Sequence, residues 1–152
     1  MDTPPQPTPI EQLHAAPDQI VLAVTGGGSG AISQLLATPG ASRTVLSACV
    51  PYSEVALQDF LRDWDGPIPC TEHTARRMAV ESFDIAHNLV EPEERVHGVA
   101  CTASLASDRE KRGPHRVHVA AQSADRTAVY SLELTKGARS RAWIRSETRF
   151  SM

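Results

Sequence analysis

The spacing of apolar residues along this chain changes several times, and each change marks an element. Gln19-Ile20-Val21-Leu22-Ala23-Val24-Thr25 is a nearly continuous apolar run, the pattern of a strand covered on both faces by helices. A short helix is expected before it, over Ile10 to Ala16. After it stand Gly26-Gly27-Gly28-Ser29-Gly30, and then Ala31, Ile32, Leu35 and Leu36 recur at helical spacing until Pro39-Gly40 stops the turn. Residues 43 to 50 predict a second strand. Ser53 is placed to cap a helix in which Val55, Leu57, Phe60 and Leu61 mark the buried stripe. From Thr71, another cap, a long amphipathic helix is expected to run toward Val90, with Ala75, Met78, Ala79, Ser82, Ile85, Ala86 and Leu89 on one face. Val96 to Thr102, Arg116 to Gln122 and Thr127 to Leu134 predict three more strands, the last two forming a hairpin around Ser123-Ala124-Asp125. A charged loop lies between Ser104 and Pro114. Early alternation of strands and helices followed by a hairpin implies an α/β fold, a layered α/β/α sandwich with a mixed sheet.

At 152 residues the chain has the length of one domain, and 41% hydrophobic with 22% charged residues is enough to form a core. Residues 1–9 carry four prolines among polar neighbours and read as a disordered tail, leaving 10–152 as a single domain. The net charge of −3 and the lack of a long basic run argue against a nucleic-acid partner. No apolar stretch approaches the roughly 18 residues of a membrane span, so no membrane partner is expected. The amino terminus has neither a basic region nor an apolar core of a signal peptide, which makes the cytoplasm the expected compartment. Cys49, Cys70 and Cys101 form no C-x-x-C pair, so neither a metal site nor a disulfide is expected; Cys49 and Cys101 read as small buried residues.

The glycine cluster is the strongest local signal for chemistry, because glycines let backbone N–H groups approach an anion at a helix N-terminus. Gly26, Gly27, Gly28 and Gly30 are therefore candidate ligand contacts. The run Gly26 to Ala31 fits the G-x-G-x-x-A form of a dinucleotide fingerprint, but no acid ends the next strand, and no Gly-Lys-Ser/Thr of a Walker loop follows. A tight strand-to-helix turn without ligand is the alternative, although four glycines in five residues cost backbone entropy that a plain turn hardly needs. Ser29, at the same turn, is a candidate nucleophile that matches a G-x-S-x-G elbow only loosely. Tyr52 and Ser53, at a strand end and helix start, and Thr102, at another strand end, could reach a ligand at the sheet's carboxyl edge; capping and rim packing are the alternative for Tyr52 and Ser53. His14, His73, His87, His97, His115 and His118 show no decisive spacing and read as surface or locally bonded residues.

Several of these segments, in this order, resemble the C-terminal domain of the competence-damage protein CinA, whose stand-alone members are nicotinamide-nucleotide amidohydrolases. Leu36 to Ser42 resembles the family's stretch ending in Val-Pro-Gly-Ala-Ser. Val50-Pro51-Tyr52-Ser53-Glu54-Val55-Ala56-Leu57 is similar to its Val-Ala-Tyr-Ser-Asn-Glu-Ala-Lys. Gly98 to Ser104 is similar to Gly-Leu-Ala-Val-Thr-Gly-Ile, and Thr74-Ala75-Arg76-Arg77-Met78-Ala79 fits Thr-Ala-Arg-x-Met-Ala on the family's long helix. The resemblance covers roughly residues 10–140. It implies a pyridine-nucleotide ligand, hydrolysis of a carboxamide and no cofactor.

The same resemblance places two departures. Counting back from Pro39, Thr25 stands at the family's nucleophilic serine and Gly28-Ser29 at its paired glycines, while Leu57 stands at its lysine. Serine chemistry assisted by lysine thus loses both partners, with Thr25, Ser29 and Tyr52 left as candidate catalytic residues, and deamidation of nicotinamide mononucleotide is expected to be impaired or lost. The alternatives are a nucleotide- or phosphate-binding module without catalysis, and an interaction domain without a small ligand. After Leu134 the family continues into a long helix, whereas residues 138–152 offer only Trp143, Ile144 and Phe150, so a final helix that is short or missing is expected. The sheet face left open leads to the expectation of a homo-oligomer with Trp143 and Ile144 near the contact.

Overall fold

A computed structural model describes residues 5–105 and 113–135. The expected charged loop and the C-terminal residues Trp143, Ile144 and Phe150 lie outside the described residues. Ten elements follow one another: α1 (Pro9–Ala15), β1 (Gln19–Thr25), α2 (Ser29–Ala37), α3 (Ala41–Thr44), β2 (Val45–Cys49), α4 (Glu54–Leu61), α5 (Glu72–His87), β3 (Val96–Ser104), β4 (His115–Gln122) and β5 (Thr127–Leu134). The strands form one sheet in the order β2-β1-β3-β4-β5. β1 is parallel to both β2 and β3, and β4 and β5 are added antiparallel.

The alternation of side chains along β1 divides the core between two faces. Ile20, Leu22 and Val24 pack with Leu35, Cys101, Ala103 and Val117, flanked by Ile10, Leu13 and Ile32, beneath α1 and α2. Ala23, Ala100 and Ala120 pack on the other face with Leu57 and Leu61 of α4 and Ala75, Met78 and Ala79 of α5. This is the α/β/α sandwich with a mixed sheet. Its alanine-rich second face lets α5 lie unusually close: a Cβ on Gly98 would stand 2.0 Å from the Ala79 carbonyl oxygen and 2.2 Å from the Phe83 nitrogen. Among the described residues no helix is long and apolar enough to cross a membrane.

Three helix starts carry side-chain caps. Thr8 and Glu11 form a reciprocal capping box on α1, Ser53 Oγ accepts the Ala56 N–H at 3.1 Å, and Thr71 Oγ1 accepts the Thr74 N–H at 3.2 Å. Four details differ from the sequence expectations. Residues 43 and 44 belong to α3, because Gly40 at φ 104° starts a fresh helical turn before the chain extends. Val55 is 74% exposed, since two residues of helix rotate it away from Leu57 by more than half a turn. Leu36 points to solvent while Ala31 and Leu35 are buried. Helix α5 stops at His87, where the Asn88 side chain and backbone both donate to the Asp84 carbonyl, and Leu89 beyond it is exposed.

Candidate functional site

The parallel strands β2, β1 and β3 end along one edge of the sheet. Thr25, the last residue of β1, is in register with Thr102 of β3, and Ala23 is in register with Cys49, the last residue of β2. From this edge the chain leaves β1 toward the α2 face and leaves β2 toward the α4 face, so the ends of β1 and β3 lie at a topological switch point, where open α/β sheets take ligands. The candidate residues therefore share an edge and divide between faces. Ser29 is the first residue of α2 and exposed, with Gly30 next to it, whereas the exposed Tyr52 and Ser53 open α4 on the opposite side. The Ser53 hydroxyl oxygen is engaged in capping.

The glycine loop is shaped by β3. Gly26 and Gly28 have φ of 75° and 87°, in the left-handed region. A Cβ on Gly26 would stand 1.9 Å from the Ala103 carbonyl oxygen, one on Gly27 2.7 Å from Leu105 Cδ1, and one on Gly28 3.1 Å from Cys101 Sγ. Close packing of a tight turn thus accounts for Gly26, Gly27 and Gly28 without a ligand, which answers the entropy argument made from sequence. Burial, with Cys70 adding to it, pushes the thiol of Cys101 beneath the loop up to about 12.

On the face covered by α4 and α5, polarity changes from one row of the sheet to the next. Ala23, Ala100, Ala120 and Val129 are in register across four strands and form an apolar row. The next row toward the carboxyl edge is Thr25, Thr102, His118 and Ser131. Thr25 and Thr102 are buried, at 8% and 4% exposure. Ser131 Oγ donates to Glu72 Oε1, at the start of α5, at 2.7 Å, and lies 2.7 Å from His118 Nδ1. A serine hydroxyl has one proton, and here Glu72 takes it. Ser131 must then accept from His118, which puts the imidazole proton on Nδ1. His118 Nε2 is buried and has no hydrogen-bond partner among the described residues. Burial, the largest influence, holds the His118 pKa below its usual value of 6.5; Glu72 opposes this and Arg116 reinforces it.

Sequence reasoning missed this network. The alternation of the hairpin strands held part of the signal, since counting outward from the turn at residues 123–126 pairs 118 with 131; only packing could bring Glu72 to them. Two other histidines also depart from the surface reading. His14 is 2% exposed with Nε2 2.9 Å from the Leu35 carbonyl, tying α1 to α2, and His115 is 8% exposed. Leu57, at 6% exposure, is packed with Leu61, Ala75 and Met78 on the same face as Ala23.

Two surface cavities lie elsewhere, near the amino ends of β1 and β3. One of about 400 Å³ is bounded by Gln19 and the turn from Asn88 to Glu94, and one of about 630 Å³ by Phe83, His87, Arg95 and the β4–β5 turn. Neither contains any candidate residue. Among the described residues no three His, Cys, Asp or Glu side chains form a group that could hold a metal ion.

No family model and no curated protein matches the chain. Among solved structures, the competence/damage-inducible protein CihA from Agrobacterium tumefaciens superposes with a TM-score of 0.70 over 91% of this chain and 83% of that one, at 20% identity. A CinA superfamily protein from Enterobacter cloacae gives 0.63 over 89% and 83%, at 16% identity. Another, from Klebsiella pneumoniae 700603, gives 0.63 over 81% and 76%, at 15% identity. Identities this low speak for architecture and not for activity, and on that architecture this chain is a domain of the CinA-like α/β fold.

Proposed function

We propose that this domain binds a pyridine mononucleotide at the carboxyl edge of β1 and β3 and does not hydrolyse its carboxamide by serine–lysine chemistry. The observation that carries the reading is Leu57. The family resemblance puts a lysine at this position and the nucleophile at Thr25; here an apolar side chain is sealed into the core on the sheet face that also carries Thr25. Thr25 keeps a hydroxyl, but Leu57 can neither take its proton nor steady an alkoxide. Binding is supported by the position of the edge at the switch point and by the change from an alanine row to a row of hydroxyls and an imidazole.

The test measures binding and turnover separately. Calorimetric titration with nicotinamide mononucleotide should show saturable binding, and an ammonia assay on the same preparation should show no release above background. A base in the right place is typically worth 10²- to 10⁴-fold in rate. Ammonia release at the rate of an enzyme with intact serine and lysine overturns the loss of catalysis, and absence of binding at millimolar nucleotide overturns the ligand.

A further inference from the structure

We infer that the cavity of about 630 Å³ at the amino end of β3 is a second ligand site, apart from the carboxyl edge, that takes a small aromatic ammonium with its ring against Phe83 and His87 and its charged nitrogen at Glu94. The cavity follows from strand register. β4 pairs with β3 only as far as Gln122 opposite Gly98, whereas β3 begins two residues earlier, at Val96. The first residues of β3 therefore have no partner on β4, and a notch is left between them and the turn at residues 123–126, with the end of α5 as its remaining wall. Its volume falls within the roughly 300–1,000 Å³ of small-molecule sites. Both His87 and Glu94 are exposed, so the notch is open to a ligand from solvent.

The lining decides the sign of the ligand's charge. Phe83 and His87, one helical turn apart, stack with ring centroids 6.0 Å apart and planes 15° apart, which gives the wall a flat aromatic surface. The basic groups of the lining already have carboxylates. Arg95 Nε and His97 Nε2 stand 3.1 and 2.9 Å from the same Asp18 Oδ1, and Arg126 Nη2 stands 3.5 Å from Asp125 Oδ2. Glu94 lines the cavity too, and its carboxylate has no ion-pair or hydrogen-bond partner among the described residues. Three carboxylates, Asp18, Glu94 and Asp125, thus stand with two guanidiniums. Helix α5 also ends here, at His87, and its carboxyl terminus is the negative end of the helix dipole. An aromatic face, an uncompensated carboxylate and a helix carboxyl end all attract a cation. A ligand carboxylate would meet Glu94 and would have to compete with Asp18 or Asp125 for a guanidinium.

The experiment holds the ligand's body constant and changes its charge. Phenethylamine, phenethyl alcohol and hydrocinnamate are titrated in turn into the full chain at pH 8, followed by amide proton–nitrogen spectra. The amine should bind saturably, with shifts confined to Phe83, His87, Glu94 and the turn at residues 123–126, and about tenfold tighter than the acid. Glu94→Gln should weaken the amine about threefold to tenfold and bring it close to the alcohol. His87→Ala, at an exposed position, should weaken all three by removing half of the aromatic surface. Glu133→Gln, which removes an exposed carboxylate from β5, should leave every affinity unchanged. The inference is overturned by tighter binding of the acid, by equal effects of Glu94→Gln and Glu133→Gln, by shifts scattered over the surface, or by no saturable binding of the amine at millimolar concentration. None of these outcomes touches the nucleotide reading, whose site lies at the other end of the sheet and has its own titration.

Discussion

At the scale of single residues, His118 couples the stability of the fold to pH. Its folded-state pKa lies below 6.5, chiefly because burial disfavours the imidazolium. In the unfolded chain the ring takes its proton near 6.5, so between that value and the lowered folded value the unfolded state binds more protons. Stability contributed by the neutral ring is therefore complete above pH 6.5 and is lost as pH falls through this window. Thermal unfolding followed from pH 8 to pH 5 should show a falling midpoint, with a shallower fall in His118→Gln. An identical pH profile in the two proteins would count against the assigned neutral ring. Thr25 and Leu57 set the other limit at this scale. A buried ammonium without a partner is strongly disfavoured, so the core around Leu61, Ala75 and Met78 resists a lysine at position 57.

At the scale of elements, the path of α5 over β3 is fixed by a missing side chain. Gly98 sits where a Cβ would overlap the backbone of Ala79 and Phe83, so Gly98→Ala must push the helix off the sheet. Overpacking of this kind costs about 1–3 kcal/mol and here meets backbone that cannot swing aside. Urea unfolding should place Gly98→Ala at or above the top of that range. Thr71→Ala, which removes only the cap of the same helix, should cost about 1 kcal/mol. If the two variants lose equal stability, the close approach is not what holds α5. Both caps, Ser53 and Thr71, were legible from sequence because capping depends on residues within one turn. The close approach at Gly98 was not, because a glycine in a strand pattern gives no hint of which helix crosses it.

At the scale of the whole molecule, β5 is the outermost strand of the sheet among the described residues. Tyr130 and Leu132 on it are 70% and 57% exposed, and they share the face of Val117 and Val119. We propose that a second copy covers this edge, pairing β5 with its equivalent around a two-fold axis, since a long strand edge with apolar side chains is a template for pairing and antiparallel self-pairing closes in a dimer. Analytical ultracentrifugation between about 1 and 100 μM should show a dimer, and Tyr130→Lys with Leu132→Lys should convert it to monomer. A monomer throughout that range, in the unsubstituted chain, defeats the proposal.

The sequence by itself determined the elements and their layering. The nearly continuous apolar run at Gln19–Thr25 pointed to a strand covered on both faces, the spacing in α2, α4 and α5 supplied the covering helices, and alternation after residue 115 supplied the hairpin. These are local periodicities, and local backbone geometry alone imposes them. It also put Thr25 at the end of β1 and Tyr52 and Ser53 between β2 and α4, whereas β3 runs two residues past Thr102, to Ser104. Only the tertiary structure decided that α2 and α4 part to opposite faces at that edge, that the glycines answer to the backbone of β3, and that Glu72 reaches Ser131 across the sheet. Each of those depends on atoms far apart in the chain meeting at a few ångströms, and strand register and helix placement set such distances, which residue spacing along one chain does not contain.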